Sequence, residues 1–347
     1  MSVRRIAVVG AGVAGRLLAL RASALGYEVT LYDKGAALGG SSASSVAAGM
    51  LAPGCELDAG SWTLYELGIG SLEAWPEILR EFSLDVFFQS AGSIVVAHHL
   101  DRPELARMQR NLEGKGAAGS FRRLDQAQLR DLEPGLSNRF HDGLFFPIEG
   151  QIDAQGFLQK SLEALRARGV RLRFECEATD VRPFVVGAGG KLRDYDMVFD
   201  CRGLGARREI DRLRAVRGEI VWVQAPEVSL RRPIRLLHPR HPVYIVPRPQ
   251  NLFAIGATAI ESADQRPITV RSALELLSAA CTVNDAFAEA TIVRTAVGLR
   301  PALPSNEPKI LSSPGLVRLN GLYRHGFMVS PQLVETALEL LREEVPA

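Results

Sequence analysis

The sequence predicts an α/β fold: a Rossmann-type parallel sheet flanked by helices, with an inserted domain built on a mostly antiparallel sheet. Three observations carry this. A short apolar run, Arg5-Ile6-Ala7-Val8-Val9, feeds directly into Gly10-Ala11-Gly12-Val13-Ala14-Gly15. An acid, Asp33, closes the next strand eighteen residues after Gly15. Much further on, residues 218–224, 243–246 and 252–258 alternate with the two-residue period of strands, and Pro249-Gln250-Asn251 supplies a hairpin turn between two of them.

Residues 5–9 read as a buried strand, after which Val13, Leu17, Leu20 and Ala24 recur at helical spacing until Gly26 stops the helix. Between them the glycines have distinct tasks. Gly10 permits the tight turn, Gly12 lets backbone approach a pyrophosphate, and Gly15 lets the helix pack close to the sheet. Backbone N–H groups at the helix start then hold phosphates. The strand 28–32 delivers Asp33 where a carboxylate can accept both ribose hydroxyls of an adenosine, and an acid there argues against a 2′-phosphate.

Residues 35–54 are rich in small side chains: Gly39, Gly40, Ser41, Ser42, Ala43, Ser44, Ser45, Ala47, Ala48 and Gly49, then Met50 and Leu51. Such a segment lets backbone come close to something flat. Asp153 caps a helix with Leu158, Leu162 and Leu165 on one face, Gly169 ends it, and Val170, Leu172 and Phe174 alternate along a strand. Residues 196–203 read as a further strand whose closing turn at Gly203 again lets backbone lie against a cofactor. In the antiparallel stretch Tyr244 shares a side with Val246, opposite Val243 and Ile245, and so is able to point into a cavity. Arg300 stands beside Pro301 after an apolar strand, and its planar fork is the side chain best matched to a carboxylate. Residues 321–331 lead into a helix with Val334, Ala337, Leu338 and Leu341 on one stripe; Ser330 suits the cap and Pro331 the first turn. The loop before that helix gathers free N–H donors and suits a negative charge.

At 347 residues the chain suits two domains. The element order places the nucleotide domain in residues 1–82, 150–212 and 294–347, and the inserted domain in 83–149 and 213–293. With 41 basic and 39 acidic side chains the formal charge is +2, too little for an electrostatic claim on nucleic acid. The four cysteines, Cys55, Cys176, Cys201 and Cys281, form no C-x-x-C pair and suggest neither a zinc site nor a disulfide framework, which fits a cytoplasmic protein. His99, His238 and His241 have no ligand spacing, so no metal is expected. No stretch approaches the ~20 apolar residues of a membrane span.

On four segments, residues 10–15, 44–51, 244–248 with 255–258, and 298–301 with 321–331, the chain resembles the glycine oxidases within the D-amino-acid-oxidase family of FAD-dependent amine oxidases, and the likeness spans nearly all of it. That resemblance implies a non-covalent FAD in the Rossmann-type domain. It puts Val13 and Ala14 at the pyrophosphate, Asp33 and Lys34 at the adenosine, the Ala178 backbone at the adenine, and Ser44, Ala48, Gly49 and Met50 along the isoalloxazine. Leu322, Tyr323, Arg324, His325, Gly326, Phe327 and Met328 would wrap the flavin pyrimidine. Arg300 would clamp the substrate carboxylate, with Tyr244 assisting and Arg324 in the same pocket, which Phe327, Met328, Met50 and Tyr244 would line as its bulky side chains. His325 would offer backbone to the flavin and leave its ring in solvent or against a neighbour. Where many relatives carry Asp-Gly and a strand-closing glycine, this chain has Ser305-Asn306 and Leu311, which bears on the flavin-side loop.

The activity so implied is oxidation of glycine, sarcosine or small D-amino acids by molecular oxygen, giving imino acid and hydrogen peroxide, in thiamine biosynthesis. Neither a nucleic-acid partner nor a membrane span is expected, and a homo-oligomer is compatible with it. Two other readings stay open: a dehydrogenase that passes electrons to a carrier, and a flavoprotein acting on a tRNA or protein partner.

Overall fold

The computed structural model describes residues 4–38, 42–238 and 242–343, with residues 342 and 343 described by backbone alone. Gly39, Gly40, Ser41 and His241 lie outside the described residues. The first layer is a six-stranded sheet in the order Lys309–Ser313, Leu316–Asn320, Met197–Asp200, Arg5–Val9, Glu28–Tyr32 and Arg171–Arg173. All its pairings are parallel except the hairpin between the first two.

The strand period of two decides what covers each face. Ile6, Val8, Val29 and Leu31 point into a core shared with helices Val13–Ala24, Trp62–Glu81, Ala154–Ala167 and Gly326–Glu343. Ala7, Val9 and Val198 point the other way, onto the antiparallel meander Ala178–Arg182, Val185–Ala188 and Lys191–Asp194. Asp153 caps Ala154–Ala167 by accepting from Gln155 N–H at 3.1 Å, and Gly169, at φ 74°, turns the chain into the edge strand.

The second layer is a nine-stranded sheet made from two separate stretches of chain, Ser93–Ala97 to Asp142–Phe146 and Arg214–Gln224 to Thr291–Ala302. Its pairings are antiparallel apart from Ile234–Leu237 on Ser93–Ala97. Helix Val270–Val283 covers one face through Leu276, Ala280 and Val283, against Val243, Ile245 and Ile255. Tyr244 and Val246 lie on the opposite face with Ile220 and Trp222. The whole of Thr291–Ala302 is paired along Arg214–Gln224, so the expected join at residue 294 falls inside one strand of this sheet.

One local reading is corrected. The last helix begins at Gly326, before the expected cap at Ser330, and Pro331 lies inside it. Ser330 Oγ donates back to the Gly326 carbonyl at 2.6 Å. Proline in a helix interior strands the carbonyl four residues earlier. Here that carbonyl, of Phe327, accepts from Trp75 Nε1 at 2.9 Å, and Ser71 Oγ takes the Gln332 N–H at 3.2 Å. The neighbouring helix Trp62–Glu81 thus completes hydrogen bonds that the local sequence forfeits, which no cap signal could reveal.

Candidate active site

One cavity of about 630 Å³ runs along the C-terminal ends of the parallel strands and into the space beneath the antiparallel sheet. At its first end Gly10 adopts φ 104°, and a Cβ there would stand 2.4 Å from the Cys201 carbonyl oxygen. Gly15 does not line the cavity: a Cβ on it would meet the Gly10 carbonyl at 1.8 Å, so its bareness seats helix Val13–Ala24 on the turn. Gly12, Val13 and Ala14 form the wall at the helix start. The Val13 N–H donates to Ser44 Oγ at 3.0 Å, which ties Ser44 to this helix terminus where it lines the cavity. Asp33 is fixed by the backbone, accepting from Ala11 N–H at 2.6 Å and Gly35 N–H at 2.7 Å, with lone pairs left on both oxygens. Lys34, Ala178 and Gly203 complete this half.

Arg16 was not foreseen. Only 3% exposed, it donates to the carbonyls of Ala11 at 2.8 Å, Leu158 at 2.6 Å and Ala37 at 2.6 Å, tying the glycine turn to the loop after Asp33. An arginine among the apolar residues of a predicted buried helix was the available signal.

Ala48, Gly49 and Met50 line the cavity together with the segment 322–328. Gly49 has φ 69°, and a Cβ there would meet the Ile152 carbonyl at 1.9 Å. Buried Arg248 fastens this corner by donating to the carbonyls of Ala48 and Ile152. Phe327 and Met328 border the cavity but are only 4% and 3% exposed, because their side chains enter the first core, where Phe327 packs on Trp75 and Phe157. Both line the cavity, and starting the helix at Gly326 turns most of each side chain inward. Asn306 holds φ 58°, a left-handed conformation that asparagine tolerates, and receives Arg214 Nη2 at 2.7 Å, so the loop keeps its turn without glycine. Leu311 lies half-exposed on the strand Lys309–Ser313.

Beneath the antiparallel sheet the cavity gathers Tyr244, Arg300 and Arg324 with two residues the sequence reading missed, Glu56 and Arg235. Arg235 is directly opposite Tyr244 in the strand pairing, and Tyr244 lies over Gly256, where a Cβ would meet its hydroxyl at 2.7 Å. Glu56 accepts from Arg235 at 2.7 Å and from Arg324 Nε at 2.7 Å. Burial pushes its pKa up, but the charges of Arg324 and Arg235 outweigh that and hold the carboxyl well below the usual range. His325 packs edge-on to Tyr323, its Nδ1 3.7 Å from Glu56, and is buried, which removes the solvent-facing alternative. Burial lowers it to about 4, so the ring is neutral at pH 7.

Behind Glu56 a second buried carboxyl, Glu149, accepts from Cys55 N–H at 2.7 Å and from the Ser93 hydroxyl. Burial raises it to about 7, against the hydrogen bonds of Ser93 and Cys55. A raised carboxyl favours the protonated folded state, so its contribution is complete below about 4.5 and lost as pH climbs through 7. The lowered His325 acts oppositely: its contribution is complete above 6.5 and lost as pH falls towards 4. The two slopes oppose each other between these limits. Glu149→Gln should therefore gain on the wild type by an amount that grows from pH 4.5 to 7, on the order of 3 kcal/mol at the upper end. Thermal unfolding across that range checks it; a difference that does not grow with pH refutes the assignment.

A bare glycine turn at a helix start, a backbone-fixed acid on the second strand, and a cationic chamber at the far end of one cavity define a dinucleotide-dependent oxidoreductase. The walls fit the dinucleotide: Gly10, Gly12 and Gly49 line the cavity with bare backbone, and Gly10 and Gly49 hold their positive-φ turns only because no Cβ meets the Cys201 and Ile152 carbonyls behind them. The chain belongs to the FAD dependent oxidoreductase (DAO) family, whose model matches residues 5–337. It is 40% identical over 98% of its length to 97% of a Rhizobium etli protein named as the thiamine biosynthesis oxidoreductase ThiO. It is 27% identical to the glycine oxidase of Geobacillus kaustophilus, covering 94% of this chain and 89% of that one. The crystal structure of a glycine oxidase from that organism superposes with a TM-score of 0.86 at 26% identity, covering 99% and 96% of the two chains. The protein is accordingly an FAD-dependent oxidoreductase of glycine-oxidase type. Among the described residues no cluster of His, Cys, Asp and Glu could hold a metal, and no helix is long and apolar enough to cross a membrane.

Proposed function

We propose that the chain oxidises glycine, and amines of similar size such as sarcosine or small D-amino acids, to the imino acid, with molecular oxygen as acceptor and hydrogen peroxide as product. Glycine itself yields glyoxylate and ammonia after hydrolysis. The names of the Rhizobium etli and Geobacillus kaustophilus relatives support both this substrate and a role in thiamine biosynthesis.

The observation that carries the reading is Arg300. Its Nη1 donates to the Thr258 carbonyl at 2.8 Å, the single hydrogen bond it makes among the described residues, and the side chain lines the cavity. A guanidinium with one anchored corner has the rest of its fork for a carboxylate. Tyr244, whose hydroxyl burial keeps protonated, borders the same space as a neutral donor. Arg324 and Arg235 are occupied by Glu56, which leaves Arg300 as the anchor.

Bound FAD supplies the two-electron acceptor. The protein's part is to orient the α-carbon and balance charge. No dedicated base is required when the amine binds neutral, and Glu56, fully engaged by arginines, is not used as one. Val13 and Ala14 serve the pyrophosphate, Asp33 and Lys34 the adenosine, the Ala178 backbone the adenine, and Ala48 to Met50 with 322–328 the ring. We assign residues 1–82, 150–212 and 294–347 to the cofactor domain and 83–149 with 213–293 to the substrate domain, the strand Thr291–Ala302 crossing from one to the other at the join.

Anaerobic addition of glycine, sarcosine or D-alanine to the purified yellow protein should bleach its visible bands, and air should restore them with release of peroxide. Bands indifferent to all three would overturn the substrate class; bleaching without peroxide on aeration would transfer the chain to the dehydrogenases.

A further inference from the structure

Arg300 belongs to the edge strand Thr291–Ala302, opposite Val216 of Arg214–Gln224. Its guanidinium crosses that neighbouring strand at Gly218, where a Cβ would stand 2.3 Å from Nη2 and 2.4 Å from Cζ. The group lies against the bare backbone of Gly218, which presents no side chain to orient it. What does choose it is the Thr258 carbonyl on Nη1.

Thr258 is itself held at three points by one residue. Its Oγ1 accepts from Glu219 N–H at 2.9 Å and donates to Glu219 Oε2 at 3.0 Å, while its own N–H donates to the Glu219 carbonyl at 3.3 Å. Glu219 is fully buried and receives Arg217 through Nε at 3.1 Å and Nη2 at 2.6 Å. Arg217, 3% exposed, also donates to the carbonyls of Asp264 at 2.7 Å and Pro267 at 3.0 Å, fixing the segment that follows Thr258. Removing one partner of a buried ion pair leaves an uncompensated charge, so Arg217 and Glu219 hold each other in place.

We propose that Thr258 and Glu219 are positioning residues that set the rotation of the Arg300 guanidinium, and through it the affinity of the site for the substrate carboxylate. The proposal rests on the assignment of Arg300 as the carboxylate anchor. A planar fork binds a carboxylate with two parallel hydrogen bonds only when its plane is aligned, so a carbonyl free to drift costs affinity and leaves the chemical step nearly untouched.

The test uses the FAD-loaded enzyme and acetate, a carboxylate without an amine, titrated against the visible spectrum. Thr258→Val keeps the shape and deletes the hydroxyl; it should weaken acetate about tenfold and raise KM for glycine by the same factor, with kcat within about threefold of wild type. Thr258→Ser keeps the hydroxyl and should restore both. In an Arg300→Ala background Thr258→Val should weaken acetate no further, since the two changes act through one group. Wild-type acetate affinity in Thr258→Val, whether or not its Tm falls, overturns the proposal and leaves only a structural role; so does an additive loss in the double variant, or failure of serine to rescue. A wild-type enzyme that does not bind acetate would instead remove the Arg300 assignment, and the proposal with it.

Discussion

Arg300→Ala should raise KM for glycine by about a hundredfold or more and lower kcat much less. Two charge-assisted hydrogen bonds to a carboxylate disappear together, each worth about 1.5–3 kcal/mol. The size of the effect depends on whether another cation could take over. Arg324 directs Nε and Nη2 at Glu56, and Arg235 gives Nη2 to the same carboxylate, so the charge of each is already shared with Glu56 and substitutes poorly for that of Arg300. Orientation of the α-carbon depends partly on the carboxylate, which is why kcat falls at all. Arg300→Lys keeps the charge but loses the fork, and should recover only part of the affinity. Steady-state kinetics settle the matter: an unchanged KM in the alanine variant discards the role.

What the sequence disclosed and what it withheld follow from the range of the interactions concerned. The glycine turn was legible because Gly10, Gly12 and Gly15 answer to local demands, a left-handed φ, an open wall and a close helix, all encoded within six residues. Arg300 and Tyr244 were legible from chemistry and strand alternation. Glu56 was not, since it sits in the short helix Pro53–Leu57 at the end of a small-residue run, and in sequence looks like any surface acid. Its meaning comes from Arg235 and Arg324, 179 and 268 residues away in the chain. Arg235 could have been found. Recognising Ile234–Leu237 as a strand would have placed it opposite Tyr244 and hence on the cavity face. The helix start at Gly326 was beyond reach, because Ser330 and Pro331 form a sound local cap and only Trp75, in a distant helix, makes the earlier start tenable.

Glu56→Gln should cost on the order of 3–5 kcal/mol of stability, the usual result of removing one partner from a buried ion pair. The cost falls chiefly on Arg235, 8% exposed and bonded to Glu56 at 2.7 Å, because Arg324 has a side chain 33% exposed and its pairing must be discounted for solvent. The sign against pH follows from the lowered carboxyl: its contribution is present above about 4.5 and lost as pH falls through the folded value, so variant and wild type should converge in acid. Stability alone would not distinguish the pair from any other buried contact, but anion affinity does. Neutralising Glu56 leaves Arg235 and Arg324 uncompensated beside Arg300, so acetate should bind the variant more tightly even as Tm falls. Loosened packing would weaken both together. Opposite movement of Tm and acetate affinity, read by thermal unfolding and spectral titration at pH 7, is thus the signature of a carboxylate that holds down the positive potential of the chamber. A variant that keeps the wild-type Tm would mean that solvent entering the cavity already screens Arg235, and would sink the assignment.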